Sequence, residues 1–216
     1  MRSRKKLGLP GREQIPLSPE PFSRKLITQP EIDLSRQQIE AINRIQTSSY
    51  IKPFLLFGIT GSGKTEVYLR IIAPLLKAGK QVLILVPEIG LTTQTISRFQ
   101  HRFNLPITVL HSGLNDKQRA LGWLKAKEGA AGIILGTRSA IFTPLKFPGA
   151  IIVDEEHDAS YKQQEGFRYS ARDLAVFRAR FEKVPIILGS ATPSLESVKN
   201  AKSGKYQLLR LDARPP

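Results

Sequence analysis

The sequence of 216 residues has a hydrophobic content of 41%, which is enough for one substantial core. Its 33 lysines and arginines exceed the 18 acidic residues and give a formal net charge of +15, so a polyanionic partner is expected. Cysteine is absent, which excludes disulfide frameworks and thiolate metal sites, and no apolar run reaches the roughly 18 residues of a membrane span, so we expect a cytoplasmic protein without a membrane partner.

Residues 1–30 differ in composition from the rest of the chain. They contain five prolines and a run of basic side chains, without sustained hydrophobic periodicity. Such a segment predicts an extended linker or arm. Its basic run either binds nucleic acid or is simply solvated. We place the folded domain at residues 31–216.

Short apolar runs alternate with helix-length segments along the folded domain. The apolar runs are bounded by glycine or proline and are typical of buried parallel strands. The alternation predicts βαβ units, and therefore an α/β fold with a doubly wound, mainly parallel sheet and helices on both faces. Pro74 lies inside one predicted helix, where we expect a kink or an early stop. The predicted strands are residues 54–57, 82–86, 107–110, 133–135, 150–153 and 186–188, and the predicted helices are residues 36–45, 65–77, 91–103, 116–127 and 171–181.

A glycine-rich loop at residues 58–65, the phosphate loop, follows the first predicted strand and opens a helix. Its pattern Gly-x-x-x-x-Gly-Lys-Thr binds phosphate in this context, because small residues let successive backbone amides point at phosphate oxygens. Lys64 is expected to reach the β and γ phosphates of ATP as a catalytic group, and Thr65 to ligate Mg²⁺. The expected nucleotide contacts are Gly58, Thr60, Gly61, Ser62, Gly63, Lys64 and Thr65.

An acidic motif, Asp-Glu-Glu-His at residues 154–157, follows a predicted buried strand. Nucleotide sites form at the carboxyl ends of parallel strands. We therefore expect Asp154 to hold Mg²⁺ through water, and Glu155 to be the base for the attacking water. His157 is expected to sense the γ-phosphate or to contact the next motif.

That next motif is the hydroxyl loop at residues 189–193, Gly-Ser-Ala-Thr-Pro, which follows another predicted strand. By itself it is an ordinary loop and helix cap. After the two preceding motifs, Ser190 and Thr192 fit a relay that signals the presence of γ-phosphate to a second site.

The three motifs, in this order, resemble those of the superfamily-two helicases and translocases with a DExH box. Together with the segments at residues 86–92, 110–114 and 136–140, they are similar to the replication-restart helicases of the primosome. The likeness covers residues 32–216 and implies the RecA-like first lobe of a 3′→5′ DNA helicase that uses ATP and Mg²⁺. It further implies a monomer that binds single-stranded and forked DNA, other primosome proteins and single-strand-binding protein.

The same resemblance implies roles for individual residues. Gln38 corresponds to the glutamine that reads adenine, the alternative being a surface glutamine. Arg138 and Ser139 follow a strand where helicases meet the DNA backbone, so both are expected to contact phosphates without sequence preference. A helix-capping role for Ser139 is compatible with this contact.

The aromatic segment, residues 158–172, interleaves aromatic and basic side chains directly after the acidic motif. Tyr161, Phe167 and Tyr169 are expected to stack on bases and to pass DNA binding to the hydrolysis site. The segment resembles the aromatic-rich loop that couples these events in replication-restart and RecQ helicases. Packing of the rings within the protein is the alternative.

The chain departs from the resembled family in what it contains. The family's second lobe, with the arginine that stabilises the transferring phosphoryl group, and its cysteine zinc cluster are missing, so we expect an excised lobe with weak nucleotide binding and near-background turnover. Two other functions stay open. One is a phosphotransferase such as a small-molecule kinase, and the other is a non-catalytic nucleotide switch that recruits partners.

Overall fold

The structure is a computed structural model that describes residues 33–48, 52–103, 105 and 107–212. The linker or arm expected at residues 1–30 lies outside these residues. The α-helices are α1 Arg36–Gln46, α2 Lys64–Lys77, α3 Thr93–Phe103, α4 Asp116–Lys127, α5 Ala171–Glu182 and α6 Leu195–Lys202. The strands are β1 Phe54–Gly58, β2 Gln81–Leu85, β3 Ile107–Leu110, β4 Ile133–Gly136, β5 Pro148–Val153, β6 Lys162–Gln163, β7 Tyr169–Ser170, β8 Ile186–Ser190 and β9 Gln207–Leu211.

Seven of the described strands form one sheet in the order β3-β4-β2-β5-β8-β1-β9, and every neighbouring pair is parallel. Helices α1, α2 and α3 pack on one face of the sheet, and α4 and α5 pack on the other. Each face has one apolar cluster beneath its helices. The strands β2, β4 and β8 are buried along their whole length, as expected of strands covered on both faces. The doubly wound α/β fold predicted from the sequence is confirmed.

The sheet order brings the three motifs to one edge. Strand β8 lies between β5 and β1, with Phe57 paired to Ser190 and Val153 paired to Leu188. The phosphate loop, the acidic motif and the hydroxyl loop follow these three adjacent strands directly. Their side chains therefore meet at the carboxyl edge of the sheet, as in other open α/β sheets.

The early stop predicted at Pro74 does not occur, because α2 runs to Lys77. Proline lacks the amide that would bond the carbonyl four residues earlier. That carbonyl, on Arg70, accepts a hydrogen bond from the Gln46 side-chain amide of α1 at 3.4 Å. A side chain from a neighbouring helix thus compensates for the missing intrahelical bond.

Several elements were not predicted from the sequence. These are α6, the edge strand β9, and the short antiparallel pair β6–β7 inside the aromatic segment. Short 3₁₀ helices also occur at Glu88–Gly90, Arg138–Phe142 and Ala159–Tyr161. Within the described part of the chain, no helix is long and apolar enough to cross a membrane.

Candidate nucleotide-hydrolysis site

The phosphate loop joins β1 to α2 through two left-handed glycines, with φ of 82° at Gly61 and 81° at Gly63. Glycine occupies this conformation without the strain that a Cβ would bring. A Cβ at Gly58 would overlap the Ser62 hydroxyl oxygen. This Ser62 oxygen is buried and has no hydrogen-bond partner among the described residues. The loop therefore combines close backbone packing with a buried polar atom that a ligand oxygen can satisfy.

The phosphate loop and the acidic motif enclose one cavity of about 400 Å³. Thr65, Asp154 and Glu155 all line it. The Lys64 ammonium donates a hydrogen bond to the Gly58 carbonyl at 2.9 Å and lies 3.8 Å from a Glu155 carboxylate oxygen. Cation, hydroxyl and carboxylates thus line the same cavity as the phosphate loop, and this donor set suits a magnesium-bound triphosphate.

Asp154 is held from two sides at the end of β5. Its amide donates to the Leu85 carbonyl at 2.9 Å, and its carboxylate accepts from the Tyr68 hydroxyl at 2.9 Å. Burial raises the pKa of Asp154, and the charge of Glu155 adds to this effect, whereas the Tyr68 hydrogen bond opposes it. A Cβ at Gly189 would overlap the Tyr68 hydroxyl. The hydroxyl loop therefore needs glycine at its first position so that Tyr68 can reach Asp154.

Glu155 has a left-handed backbone, with φ of 46°. A non-glycine residue in this region costs about 1–3 kcal/mol and persists where the surroundings require it. The conformation leaves the Glu155 carboxylate between the Lys64 ammonium, at 3.8 Å, and the His157 ring nitrogen Nδ1, at 3.6 Å. The carboxylate expected to act as base therefore faces the same cavity as Lys64.

His157 connects the acidic motif to the hydroxyl loop, as one of the two sequence hypotheses for this residue proposed. Its Nδ1 lies 2.7 Å from the Ser190 hydroxyl and its Nε2 lies 3.2 Å from the Thr192 hydroxyl. The Thr192 amide also donates to the Ser190 hydroxyl at 2.9 Å. A movement of the His157 ring would therefore alter its hydrogen bonds to both hydroxyls.

Glu156 was not singled out from the sequence, yet its buried carboxylate joins three parts of the site. It accepts hydrogen bonds from the Ser194 amide at 2.7 Å, the Ser194 hydroxyl at 3.0 Å, the Ser197 hydroxyl at 2.8 Å and the Arg172 guanidinium at 3.2 Å. Its own amide donates to the Gly189 carbonyl at 3.0 Å. Arg172 is the last residue of the aromatic segment. The cluster therefore connects that segment to the acidic motif, which in turn is bonded to the hydroxyl loop at Gly189.

Gln38 is buried at 1% exposure, against the alternative of a surface glutamine. Its side-chain amide donates to the Ser62 carbonyl at 3.2 Å and the Gly63 carbonyl at 3.5 Å, and its oxygen accepts from the Ser35 amide at 2.8 Å. The residue therefore holds the backbone of the phosphate loop through hydrogen bonds. Its contact with adenine stays a prediction.

The aromatic segment divides into a buried and an exposed part. Tyr161 is 1% exposed and donates its hydroxyl to the Asp154 carbonyl at 2.6 Å, so a base cannot reach its ring, contrary to the expectation from the sequence. Phe167 is 78% exposed and Tyr169 is half-buried beside it. Only these two rings of the predicted three are placed to meet a ligand from solvent, whereas Tyr161 links the segment to the acidic motif.

Arg138 contacts the aromatic segment rather than standing apart from it. One of its guanidinium nitrogens, Nη1, donates to the carbonyls of Ser160 at 3.0 Å and Lys162 at 3.1 Å. Ser139 is exposed next to it within the 3₁₀ helix, and Thr137, not Ser139, occupies the N-cap position of that helix. Arg138, which is expected to meet DNA phosphates, is thus hydrogen-bonded to the segment expected to meet bases.

Comparison with known proteins agrees with this arrangement. The family model described as DEAD/DEAH box helicase matches residues 35–201. Proteins named Replication restart protein PriA are similar over much of the chain, with 54% identity in Haemophilus influenzae over 85% of this chain and 44% identity in Bacillus subtilis over 90% of it. This chain spans 25% of the length of each of these relatives.

Solved structures show the same fold. The structure of RecG bound to a three-way DNA junction superposes with a TM-score of 0.62 and 25% identity, covering 86% of this chain and 24% of the other. The DUF1998 helicase MrfA bound to DNA superposes with a TM-score of 0.60 and 18% identity, covering 92% of this chain and 30% of the other, which supports the fold alone. The predicted RecA-like architecture is confirmed. On its motifs, its fold and the span of the family match, the chain belongs to the DEAD/DEAH box helicases.

Proposed function

We propose that the chain is the ATP-binding motor lobe of a 3′→5′ DNA helicase that acts in replication restart and couples ATP hydrolysis to translocation on single-stranded DNA. The names of its relatives, and the DNA-bound state of the solved RecG neighbour, support this role. Forked DNA, other primosome proteins and single-strand-binding protein are the partners that the role implies, and the cytoplasm is its location.

ATP is bound and oriented by groups at the carboxyl edge of the sheet. The amides of the phosphate loop and the Lys64 ammonium bind the β and γ phosphates. Mg²⁺, held by the Thr65 hydroxyl and by Asp154, supplies neutralising charge to the phosphate oxygens when it is bound. The Ser62 hydroxyl, which has no partner among the described residues, and the Cβ-free packing at Gly58 are consistent with this use of the loop.

Glu155 carries the proton transfer of the hydrolysis step. It orients a water molecule and takes its proton as the water oxygen bonds to the γ-phosphorus. The bond between the γ-phosphorus and the bridging oxygen breaks, and that oxygen leaves with ADP. His157 then reports the change to Ser190 and Thr192, which it contacts directly.

The observation that carries the DNA-motor proposal is the hydrogen-bonded connection between the hydrolysis site and the aromatic segment. Tyr161 donates to the Asp154 carbonyl, and Arg138 donates to carbonyls on either side of Tyr161. A metabolite kinase has no need for a basic turn and exposed rings attached to its magnesium ligand. A translocase does, because DNA binding must change the hydrolysis site.

The test is the salt dependence of single-strand binding, measured by fluorescence anisotropy with a labelled oligonucleotide. We expect affinity to fall steeply with salt, and Arg138→Ala to weaken binding and reduce the slope of log K against log salt by about 1. Arg180→Ala, at the exposed far end of α5, is the control and should leave both quantities unchanged. No single-strand affinity at low salt would favour the kinase.

Hydrolysis distinguishes the motor from a nucleotide switch. In a protein that joins this lobe to its second lobe, Glu155→Gln should retain magnesium-dependent ATP binding and abolish ATP turnover. Equal turnover in parent and variant would contradict the assignment of Glu155 as base. ATP binding without any turnover, in the presence of a complete second lobe, would favour the switch.

A further inference from the structure

A second cavity, of about 840 Å³, lies beside the Arg138–Phe142 helix. It is enclosed by the end of β3, by α4 and by this 3₁₀ helix, and it shares no lining residue with the cavity at the phosphate loop. Trp123 and Phe142 contribute its rings, at 42% and 46% exposure. Flat apolar groups of this size can take an aromatic ligand between or against them.

The rings of the cavity continue those of the aromatic segment. Phe142 packs edge-to-face on Tyr169, with ring centroids 5.0 Å apart, and Tyr169 lies 6.1 Å from Phe167. A row of rings therefore runs from the exposed Phe167 through Tyr169 to the mouth of the cavity. Because successive bases of a single strand stack on such rows, a strand that meets Phe167 is led towards the cavity.

The charged groups of the cavity suit a ligand with an anionic backbone. Arg119 and Lys127 are the lining cations, against Asp116 as the lining acid. The charge of the lining is therefore positive, which favours the phosphates of a nucleic acid.

The cavity also adjoins the turn proposed to follow DNA phosphates. Arg138 and Phe142 are the first and last residues of one 3₁₀ helix, so they lie roughly 8 Å apart at the usual rise of about 2 Å per residue. Ser139 of the same helix lines the cavity. A phosphate held at the start of the helix therefore places its neighbouring base near the cavity's rings.

We propose that this cavity, the base pocket, takes one unstacked nucleobase of the single strand, with the face of the base against Trp123 or Phe142. The proposal rests on the proposed DNA binding and adds a defined subsite to it. Charge at Arg119 and Lys127, and continuity with the ring row, favour a nucleic acid over an apolar protein segment. The contact is independent of sequence, because every base has an aromatic face.

Trp123 is the chain's single tryptophan, so its emission reports directly on the base pocket. We would titrate the chain with a thymidine oligonucleotide and with an abasic oligonucleotide of equal length and charge. Binding is followed in parallel by anisotropy of a dye on the DNA. The expected result is quenching of Trp123 emission by the thymidine strand and none by the abasic strand at equal occupancy.

Variants test the same contact by affinity. Trp123→Ala should weaken binding of the thymidine strand by roughly fivefold or more, as expected for loss of one base stack, and should leave binding of the abasic strand unchanged. Leu121→Ala, on the same helix but outside the base pocket, removes a similarly exposed apolar group and should change neither affinity.

The outcomes separate this proposal from the one on which it rests. If the strand binds but Trp123 emission is unchanged, and the two variants bind alike, DNA binding stands and the base pocket is wrong. If neither strand binds, the proposed function fails and the base pocket fails with it. A shift of Trp123 emission with protein concentration, without DNA, would show that a second copy of the chain occupies the cavity, which also overturns the proposal.

Discussion

Replacing Glu156 by glutamine should destabilise the fold strongly although the shape of the side chain is kept. The Glu156 carboxylate is fully buried and accepts from Arg172, from Ser194 twice and from Ser197. Removing one charge of a buried pair costs about 3–5 kcal/mol when the other charge is left uncompensated. Arg172 keeps its ion pairs with Asp173 at 2.9 Å and Glu196 at 3.8 Å, so the lower end of this range applies. Glutamine retains one acceptor oxygen, so we expect a loss of about 3 kcal/mol in the free energy of unfolding.

Urea denaturation followed by circular dichroism measures this loss. With a slope of about 2 kcal/mol per molar urea, the midpoint should fall by roughly 1.5 M at unchanged slope. Glu165→Gln makes the same chemical change at an exposed position and should shift the midpoint negligibly. Adding Arg172→Met to Glu156→Gln should recover part of the loss, since both buried charges are then gone. A midpoint for Glu156→Gln equal to that of the Glu165→Gln control would refute the reasoning.

Three further changes test the contacts around the nucleotide. Gln38→Ala should lower the affinities for ATP and for tripolyphosphate alike if the glutamine supports the phosphate loop, whereas a loss confined to ATP would show that it reads adenine. Gly189→Ala should cost about 1–3 kcal/mol in unfolding free energy by overpacking against Tyr68, and less in a Tyr68→Phe background, so strictly additive losses would contradict the contact. Asp154→Asn should raise the unfolding temperature in magnesium-free buffer at neutral pH, because burial raises the pKa of Asp154 above its ordinary 3.8 and the folded state resists its ionisation. This advantage should shrink as the pH falls towards 3.8, and an advantage independent of pH would exclude that cause.

The sheet was predictable from the sequence because its strands are covered on both faces. A strand such as β8, buried at every position, appears as a continuous apolar run bounded by proline and by small residues. Strand β9 lies at the edge of the sheet, where only Leu209 and Leu211 of its residues are buried. Its apolar pattern is therefore short, and no motif follows it that would identify it as a strand of the sheet. The extent of α2 past Pro74 depends on Gln46 of another helix, which no local pattern shows.

The site was predictable where adjacent residues form a motif, and not where a contact joins distant positions. Lys64, Asp154 and Glu155 follow from patterns a few residues long. The pairing of Glu156 with Arg172 spans 16 positions, and its only signal in the sequence is an extra acid within the acidic motif. The burial of Tyr161 depends likewise on the course of the whole aromatic segment.

The central place of β8 limits which parts of this lobe can move during a catalytic cycle. The strand is bonded on both sides, to β5 and to β1, and its Ser190 is fully buried. Segments of this kind open only with much of the domain, so their amide hydrogens exchange slowest with solvent. Signals between ATP and other ligands must therefore be carried by the turns that follow the strands, whose amides should exchange at rates that depend on the bound nucleotide. The backbone of β8 remains fixed, and Ser190 takes part in these signals through its hydroxyl, which contacts His157.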